Sequence, residues 1–226
     1  MKILGIETST FAGSVALLDD YKLLGEYTFN IGPKHNEKLV PSIDYLLSDL
    51  QVDKKELDAI AVTVGPGSFT SLRVGVSTAK ALSYSLNIKV VGVSSLEVLA
   101  YPLFGCEFQI CTIIDAKKKQ LFSGLYKNSY KLQTIKDESL VYPDELFESI
   151  KEKTVFVGNG AEVYKDQIID SLGDKAVFPG SVFNVSRASS CVLLGKEKLL
   201  NGIEDDCINL SPIYMRKSEA ELKRKK

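Results

Sequence analysis

Gly65-Pro66-Gly67-Ser68-Phe69-Thr70-Ser71-Leu72-Arg73-Val74-Gly75 separates two segments of opposite character. Before it, residues 58–64 form a continuous apolar run of the kind buried inside a sheet. After it, residues 70–86 read as a helix with one unusually small side: Gly75, Ala79 and Ser83 recur every four residues, with Ser77, Ala81 and Ser85 nearby. Missing side chains let another backbone approach closely, so van der Waals contact and apolar burial accrue at short helix–helix distance. Two readings follow: a helix that docks a second subunit, or a helix packed on its own sheet.

Upstream, residues 2–8, 14–18 and 22–29 read as three strands, with Asp19-Asp20-Tyr21 turning between the last two. Consecutive strands imply antiparallel hairpins. Residues 39–50 follow as a helix with Leu39, Ile43, Leu46, Leu47 and Leu50 on one face and Pro41 in or near its first turn. Downstream lie a strand at 89–93 and a short helix at 96–103. Past Pro102 and Gly105 a second pattern begins. Residues 107–115 and 120–126 form a hairpin turning at Ala116-Lys117-Lys118-Lys119, then come a helix at 143–150 and a strand at 154–157. The tight turn Gly158-Asn159-Gly160 leads into helices at 161–172 and 185–200 and a polar tail. Hairpins followed by alternating helix and strand occur in both halves. This predicts an α/β protein of two related lobes, residues 1–104 and 105–226, with the tail packing back on the first. No low-complexity linker separates them, so close packing is expected.

With 226 residues and 45% hydrophobic content, the chain is long enough for a full core. Its 28 basic and 29 acidic residues leave a net charge of −1, so nothing pulls it globally toward nucleic acid or membrane; a polyanion would be met by a local patch. Glu7 interrupts any signal-like apolar start, and no apolar run approaches the ~18 residues of a span. Cys106, Cys111, Cys191 and Cys207 form no C-x-x-C pair and read as reduced thiols of a cytoplasmic protein.

His35 is the only histidine, and no H-E-x-x-H motif, cysteine cluster or P-loop is present, so no dedicated metal site is expected. Gly92-Val93-Ser94-Ser95 has the strand-to-helix setting of a serine nucleophile but not the closing glycine, and only His35 is available as its base. Three weaker signals remain. Glu7-Thr8-Ser9-Thr10 ends the first strand, where small hydroxyl residues leave backbone N–H groups to face an anion, or simply make a turn. Asp115 ends the corresponding strand of the second lobe and faces a cation or water, or is a turn carboxylate. Gly158 and Gly160 allow close approach to a flat ligand, or form a plain left-handed turn. Hydroxyl hairpin, second-lobe aspartate and strand–GxG–helix, in that order, are the layout of actin-like ATPase and sugar-kinase folds.

The block from Gly65 through Ser77-Thr78-Ala79-Lys80-Ala81-Leu82 resembles the signature of the TsaB (YeaZ) family. Ile6-Glu7-Thr8-Ser9, His35-Asn36-Glu37-Lys38-Leu39 with Pro41, Asp115-Ala116-Lys117 and Pro212-Ile213-Tyr214-Met215-Arg216 resemble further family segments, so the likeness runs nearly the whole length. Asn36, Ser71, Lys118 and Lys119 depart from the usual pattern, the last two extending a basic turn that either touches tRNA phosphate or is a solvated tip. The tail Lys223-Arg224-Lys225-Lys226 is open to the same two readings.

The resemblance implies an actin-like (ASKHA, ribonuclease-H-like) fold of mixed sheets flanked by helices. It also implies a non-catalytic part in making threonylcarbamoyladenosine beside the tRNA anticodon, with no catalytic residue of its own. The catalytic paralogue, TsaD, carries a metal-binding histidine pair where this chain has Ser95 and Leu99, neither of which replaces an imidazole. The expected partners are that paralogue, a TsaE-like ATPase and tRNA through the complex, and a second copy of the chain when it is alone. His35, Leu39, Ile43, Leu46, Arg73, Gly75, Val76, Ala79, Leu82 and Ser83 are the expected partner interface. Glu7, Thr8, Ser9, Asp115, Gly158 and Gly160 are the expected remnant of a nucleotide site. No tightly bound cofactor is expected, ATP entering at the level of the complex. The alternatives are a free-standing ATP-dependent enzyme of the same fold, or a peptidase using Ser94 and His35.

Overall fold

β1 (Lys2–Glu7), β2 (Gly13–Asp19) and β3 (Lys22–Phe29) form an antiparallel meander in the computed structural model, which describes residues 1–29 and 35–216, the side chains of His35 and Asn36 excepted. β4 (Ala59–Gly65) pairs parallel to β1, and β5 (Lys89–Ser94) parallel to β4, giving the order β3-β2-β1-β4-β5. Both faces of this sheet are covered, and period-two alternation sorts its side chains. Leu4, Ile6, Ile60, Val62 and Val64 pack under α1 (His35–Asp49) and α2 (Phe69–Leu86). Ile3, Ala59, Ala61, Val91 and Val93 pack on the opposite face with Cys191, Val192 and Leu194 of α7 (Ala188–Leu200).

The second sheet repeats the plan. β6 (Cys106–Asp115), β7 (Leu121–Asn128) and β8 (Leu132–Val141) form a meander, β9 (Thr154–Val157) joins β6 in parallel, and β10 (Ala176–Val177) closes the order β10-β9-β6-β7-β8. One face packs on α3 (Ser95–Ala100) through Ile110, Ile114, Phe122 and Tyr126. The other packs on α4 (Pro143–Ser149), α5 (Asn159–Val163) and α6 (Lys165–Leu172) through Ile113, Leu125 and Phe156. α3 and α7 touch each other, and residues 203–216 return along β5 toward the second sheet.

Several expectations are adjusted. The helix expected at 161–172 breaks into α5 and α6 at Tyr164. The one expected at 185–200 begins at Ala188, after a short 3-10 turn at Ser181–Asn184. β8 and β10 were not foreseen: β8 is a mostly exposed edge strand and β10 has two residues, so neither carries an apolar alternation. The cysteines are unpaired. Among the described residues no helix is long and apolar enough to cross a membrane. The basic tail at 223–226 lies outside the described residues.

Candidate functional site

The small side of α2 faces inward. Leu72, Gly75, Val76, Ala79 and Ser83 are all buried, and a Cβ on Gly75 would sit 2.2 Å from Thr8 Oγ1. Gly75 is therefore needed where α2 crosses the end of β1. On α1, Leu39, Ile43 and Leu46 belong to the same core. Of the residues expected at the interface, Leu39, Leu46, Gly75, Val76, Ala79 and Ser83 are buried where the chain's own helices pack on its own sheet. His35 lies outside the described side chains.

The free surface is the opposite arc of α2. Ser77, Ala81 and Ser85 are exposed, and α1 and α2 diverge enough to leave a groove of 510 Å³ between them. Val40, Asp44, Thr78 and Ala81 line its walls, with Ile43 and Leu82 also reaching it. Val40 is 60% exposed, and Tyr45 and Tyr84 stand out of the same two helices. Arg73 is exposed at the N-terminal end of α2, where its Nε donates to Tyr214 Oη at 2.8 Å and its guanidinium lies against the Phe69 and Tyr214 rings. Those two rings stack at 4.5 Å.

The second set of residues meets where the sheets face each other. Glu7, Thr8 and Ser9 are fully buried, and most of their donors are spent within the chain, the Thr8 hydroxyl being left without a partner. Thr8 N–H donates to Thr63 Oγ1 at 3.3 Å, and Ser9 donates to Glu7 Oε1 from its N–H at 2.7 Å and its hydroxyl at 2.5 Å. The Gly65–Ser68 loop closes over this hairpin through a 2.8 Å bond from Ser68 N–H to Ser9 O. Across the cleft, the Asp115 side chain is only 6% exposed and is held at 2.6 Å by Lys117 Nζ. Asp115 N–H donates to Asn159 Oδ1 at 3.1 Å, and Arg216 donates to Ala116 O.

A Cβ on Gly158 or Gly160 would lie 2.3 or 2.9 Å from Ile113 O, so these glycines seat the β9–α5 turn against β6. The space across the cleft is about 160 Å³ and adjoins a 430 Å³ depression that shares Thr10, Phe11 and Asn159. The Ser9 donors, the Asp115 carboxylate and the glycine approach are each engaged by protein, whereas Thr8 Oγ1 and Glu7 Oε2 are buried without a hydrogen-bond partner. Among the described residues no group of three or more histidine, cysteine or acidic side chains is placed to hold a metal. Ser95 and Leu99 are buried, Leu99 lying against Gly158.

Burial pushes the Glu7 carboxyl above its ordinary value of 4.5; the Ser9 donors, then the Thr63 and Ser186 hydroxyls, offset this only in part. Its Oε2 has no hydrogen-bond partner. A raised folded-state pKa gives stability that is complete below the unfolded pKa and is lost as pH rises through the folded one, at about 1.4 kcal/mol per pH unit across that window. Glu7→Gln keeps the shape and the acceptor for Ser9 but carries no charge. Its stability relative to the wild type is expected to be higher at pH 8.5 than at pH 5, read from urea midpoints. A constant difference across that range would mean Glu7 does not titrate between the two states there.

Ser94 is occupied as the N-cap of α3, accepting from Leu96 and Glu97 N–H at 3.1 and 3.3 Å, and its proton goes to Glu138. Glu138 also accepts from Tyr126 Oη at 2.8 Å. A hydroxyl shared between a helix cap and a carboxylate is a structural link, not a nucleophile awaiting a base. The groove residues Val40, Thr78 and Ala81 were missed because small residues occur all round α2. The signal was present in Leu72 and Val76, whose bulk marks the inward side.

A family model described as "TsaD: tRNA N6-adenosine threonylcarbamoyltransferase" matches residues 29–224. The tRNA threonylcarbamoyladenosine biosynthesis protein TsaB of Bacillus subtilis (strain 168) is 36% identical, covering 99% of this chain and 97% of that protein. The structure of YeaZ from Pseudomonas aeruginosa superposes with a TM-score of 0.82 at 25% identity, over 94% of this chain and 99% of that one. The activator of 2-hydroxyisocaproyl-CoA dehydratase from Clostridium difficile, solved with bound ADPNP, reaches a TM-score of 0.54 at 9% identity over 91% and 99%, a likeness of fold alone. With its two mixed sheets flanked by helices, the chain has the actin-like fold and belongs to the TsaB (YeaZ) family.

Proposed function

We propose that this chain is a non-catalytic subunit in the biosynthesis of threonylcarbamoyladenosine on tRNA, acting in the cytoplasm by pairing with a TsaD-type catalytic paralogue. The names of its full-length relatives support the pathway. The observation that carries the scaffold role is the open apolar groove between α1 and α2, whose exposed small residues let a partner helix come close. A TsaE-like ATPase and tRNA join through the complex, ATP acts at that level, and the same groove pairs two copies when the paralogue is absent. The rival reading, a free-standing ATP-dependent enzyme, finds less support, since Ser9 is bonded to Glu7 and Asp115 to Lys117 within the chain.

The test is reconstitution. Mixed with a TsaD-type protein, the chain is expected to co-elute in gel filtration and to raise formation of the modified adenosine, while alone it forms none. Failure to co-elute, or product formation by the isolated chain, overturns the proposal.

A further inference from the structure

We infer that residues 203–216 form a strap that latches the mouth of the cleft between the two sheets, with Arg216 as its clasp. The strap has a continuous path. Asp205 N–H donates to Val90 O at 2.9 Å, and the Asp205 carboxylate accepts from Gly92 N–H at 2.7 Å, so the segment is seated on the outer edge of β5. It then runs along the flank of α2, against the helix direction. Lys80 Nζ donates to Ile208 O and Leu210 O at 2.8 and 3.0 Å. Tyr214 stacks on Phe69 and accepts from Arg73, about two turns nearer the start of the helix. Ile213 N–H donates to Val64 O at 2.7 Å, and Leu210 is buried in the first core. These anchors all belong to the first sheet and its helices. Two residues beyond Tyr214, Arg216 crosses to the second sheet and donates to Ala116 O.

The two sides of the cleft are joined by different forces. At its back, α3 is wedged between the sheets. Leu96, Leu99 and Ala100 share a core with Ile110, Ile114 and Phe122, and Val98 shares one with Ala61 and Val93. Asn128 adds bonds to Ala100 O and Tyr101 O at 3.3 and 2.9 Å, and Ser94 donates to Glu138. That side is largely apolar and buried. At the mouth, Ser9, Thr10, Gly67 and Ser68 face Asp115, Ala116 and Lys117 across the 160 Å³ space. Arg216 ties the two sides together there, with Lys117 Nζ lying 5.8 Å from the centre of the Phe11 ring. A packed wedge on one side and a polar clasp on the other make a hinge held shut by a latch. The clasp is also incompletely satisfied. Arg216 Nε is buried without a hydrogen-bond partner, a cost that an open cleft filled with water does not carry. This narrows the margin by which the closed form is favoured, so that one side chain sets the balance.

The test measures the width of the mouth. Spin labels are attached through Thr70→Cys and Lys119→Cys, exposed positions on either side of it, in a chain whose half-buried thiols are removed by Cys106→Ser and Cys207→Ser. Cys111 and Cys191 are buried and escape labelling. Pulsed electron–electron distance measurement is expected to give one short distance for the latched chain. Arg216→Ala is expected to add a longer one, its open population raised about tenfold. Tyr214→Leu cuts the strap's hold on Phe69 and Arg73 and should shift the distribution in the same direction. Gln109→Ala removes a 2.9 Å bond to Glu152 toward the other end of β6 and should leave the distance unchanged. An unchanged distance in folded Arg216→Ala overturns the inference; if that variant is not recovered folded, Tyr214→Leu carries the same test. Equal lengthening in Gln109→Ala also overturns it, because the effect would then be a general loosening of the second lobe.

Discussion

Gly158→Ala should lower the stability of the chain by about 2–6 kcal/mol, a large part of the roughly 5–15 kcal/mol that holds a typical domain. Two separate penalties meet there. The backbone sits at φ 101°, ψ 169°, a region essentially reserved for glycine, where a side chain adds about 1–3 kcal/mol. The added Cβ would also lie 2.3 Å from Ile113 O and 3.1 Å from Leu99 Cδ1. The first of these is backbone in the middle of a sheet, so relief requires moving β6 or the whole turn, about 1–3 kcal/mol more. Gly173→Ala provides the comparison: φ is 53° and ψ −128°, also unfavourable for a side chain, but nothing lies within 4 Å, so only a dihedral penalty of about 1–3 kcal/mol applies. Urea denaturation of both variants reads the difference. Equal, mild losses would mean that the turn has room above it, returning Gly158 to the ligand-facing role that its motif suggested.

That contrast shows where reading the sequence succeeded and where it stopped. The meander at the start, the buried run before Gly65 and the helix after it are local patterns, and period-two or period-3.6 spacing is enough to place them. So is the repetition of the plan after Gly105. What spacing does not encode is what a close approach is for. Gly75, Gly158 and Gly160 each mark a place where something comes near, and in each case the neighbour is Thr8 or Ile113 of the same chain. A glycine is identical in sequence whether it admits a ligand, a partner or its own sheet.

The cleft illustrates the same limit through charge. Glu7, Ser9 and Asp115 are readable as a hydroxyl hairpin and a facing carboxylate. Their partners are two residues further along the chain: Ser9 donates to Glu7 and Lys117 to Asp115. Short-range pairing of this kind occupies part of the buried polar set without a ligand and leaves Glu7 Oε2 and Thr8 Oγ1 unpartnered, so the geometry, and not the motif, tells which groups are available. Arg216 arrives from the far end of the chain and was legible only as part of a family segment. β8 escaped because an edge strand with one solvated side has little apolar pattern to read.

Arginine introduced at positions 79 and 81 of α2 should have opposite consequences, although the two alanines lie two residues apart in one helix. Ala79 is 0% exposed beneath α2, in the core shared with Val62 and Leu39. A guanidinium there is buried without a counter-charge and without space, a loss of more than about 4 kcal/mol, so Ala79→Arg is expected to be recovered unfolded or aggregated. Any failure of that variant to bind a partner would say nothing about docking. Ala81 faces solvent on the wall of the groove, and arginine is nearly as good a helix former as alanine. Ala81→Arg should therefore keep its denaturation midpoint within about 0.5 kcal/mol of the wild type. In the groove, however, the long charged side chain occupies the space a partner helix needs, and co-elution with the TsaD-type protein should weaken by more than about 100-fold, the equivalent of about 2.7 kcal/mol. Thr78→Arg, on the same wall, should behave alike. A folded Ala81→Arg protein that still co-elutes at wild-type concentrations would remove the groove from consideration as the docking surface, because no rearrangement short of vacating it accommodates both arginine and a closely packed helix.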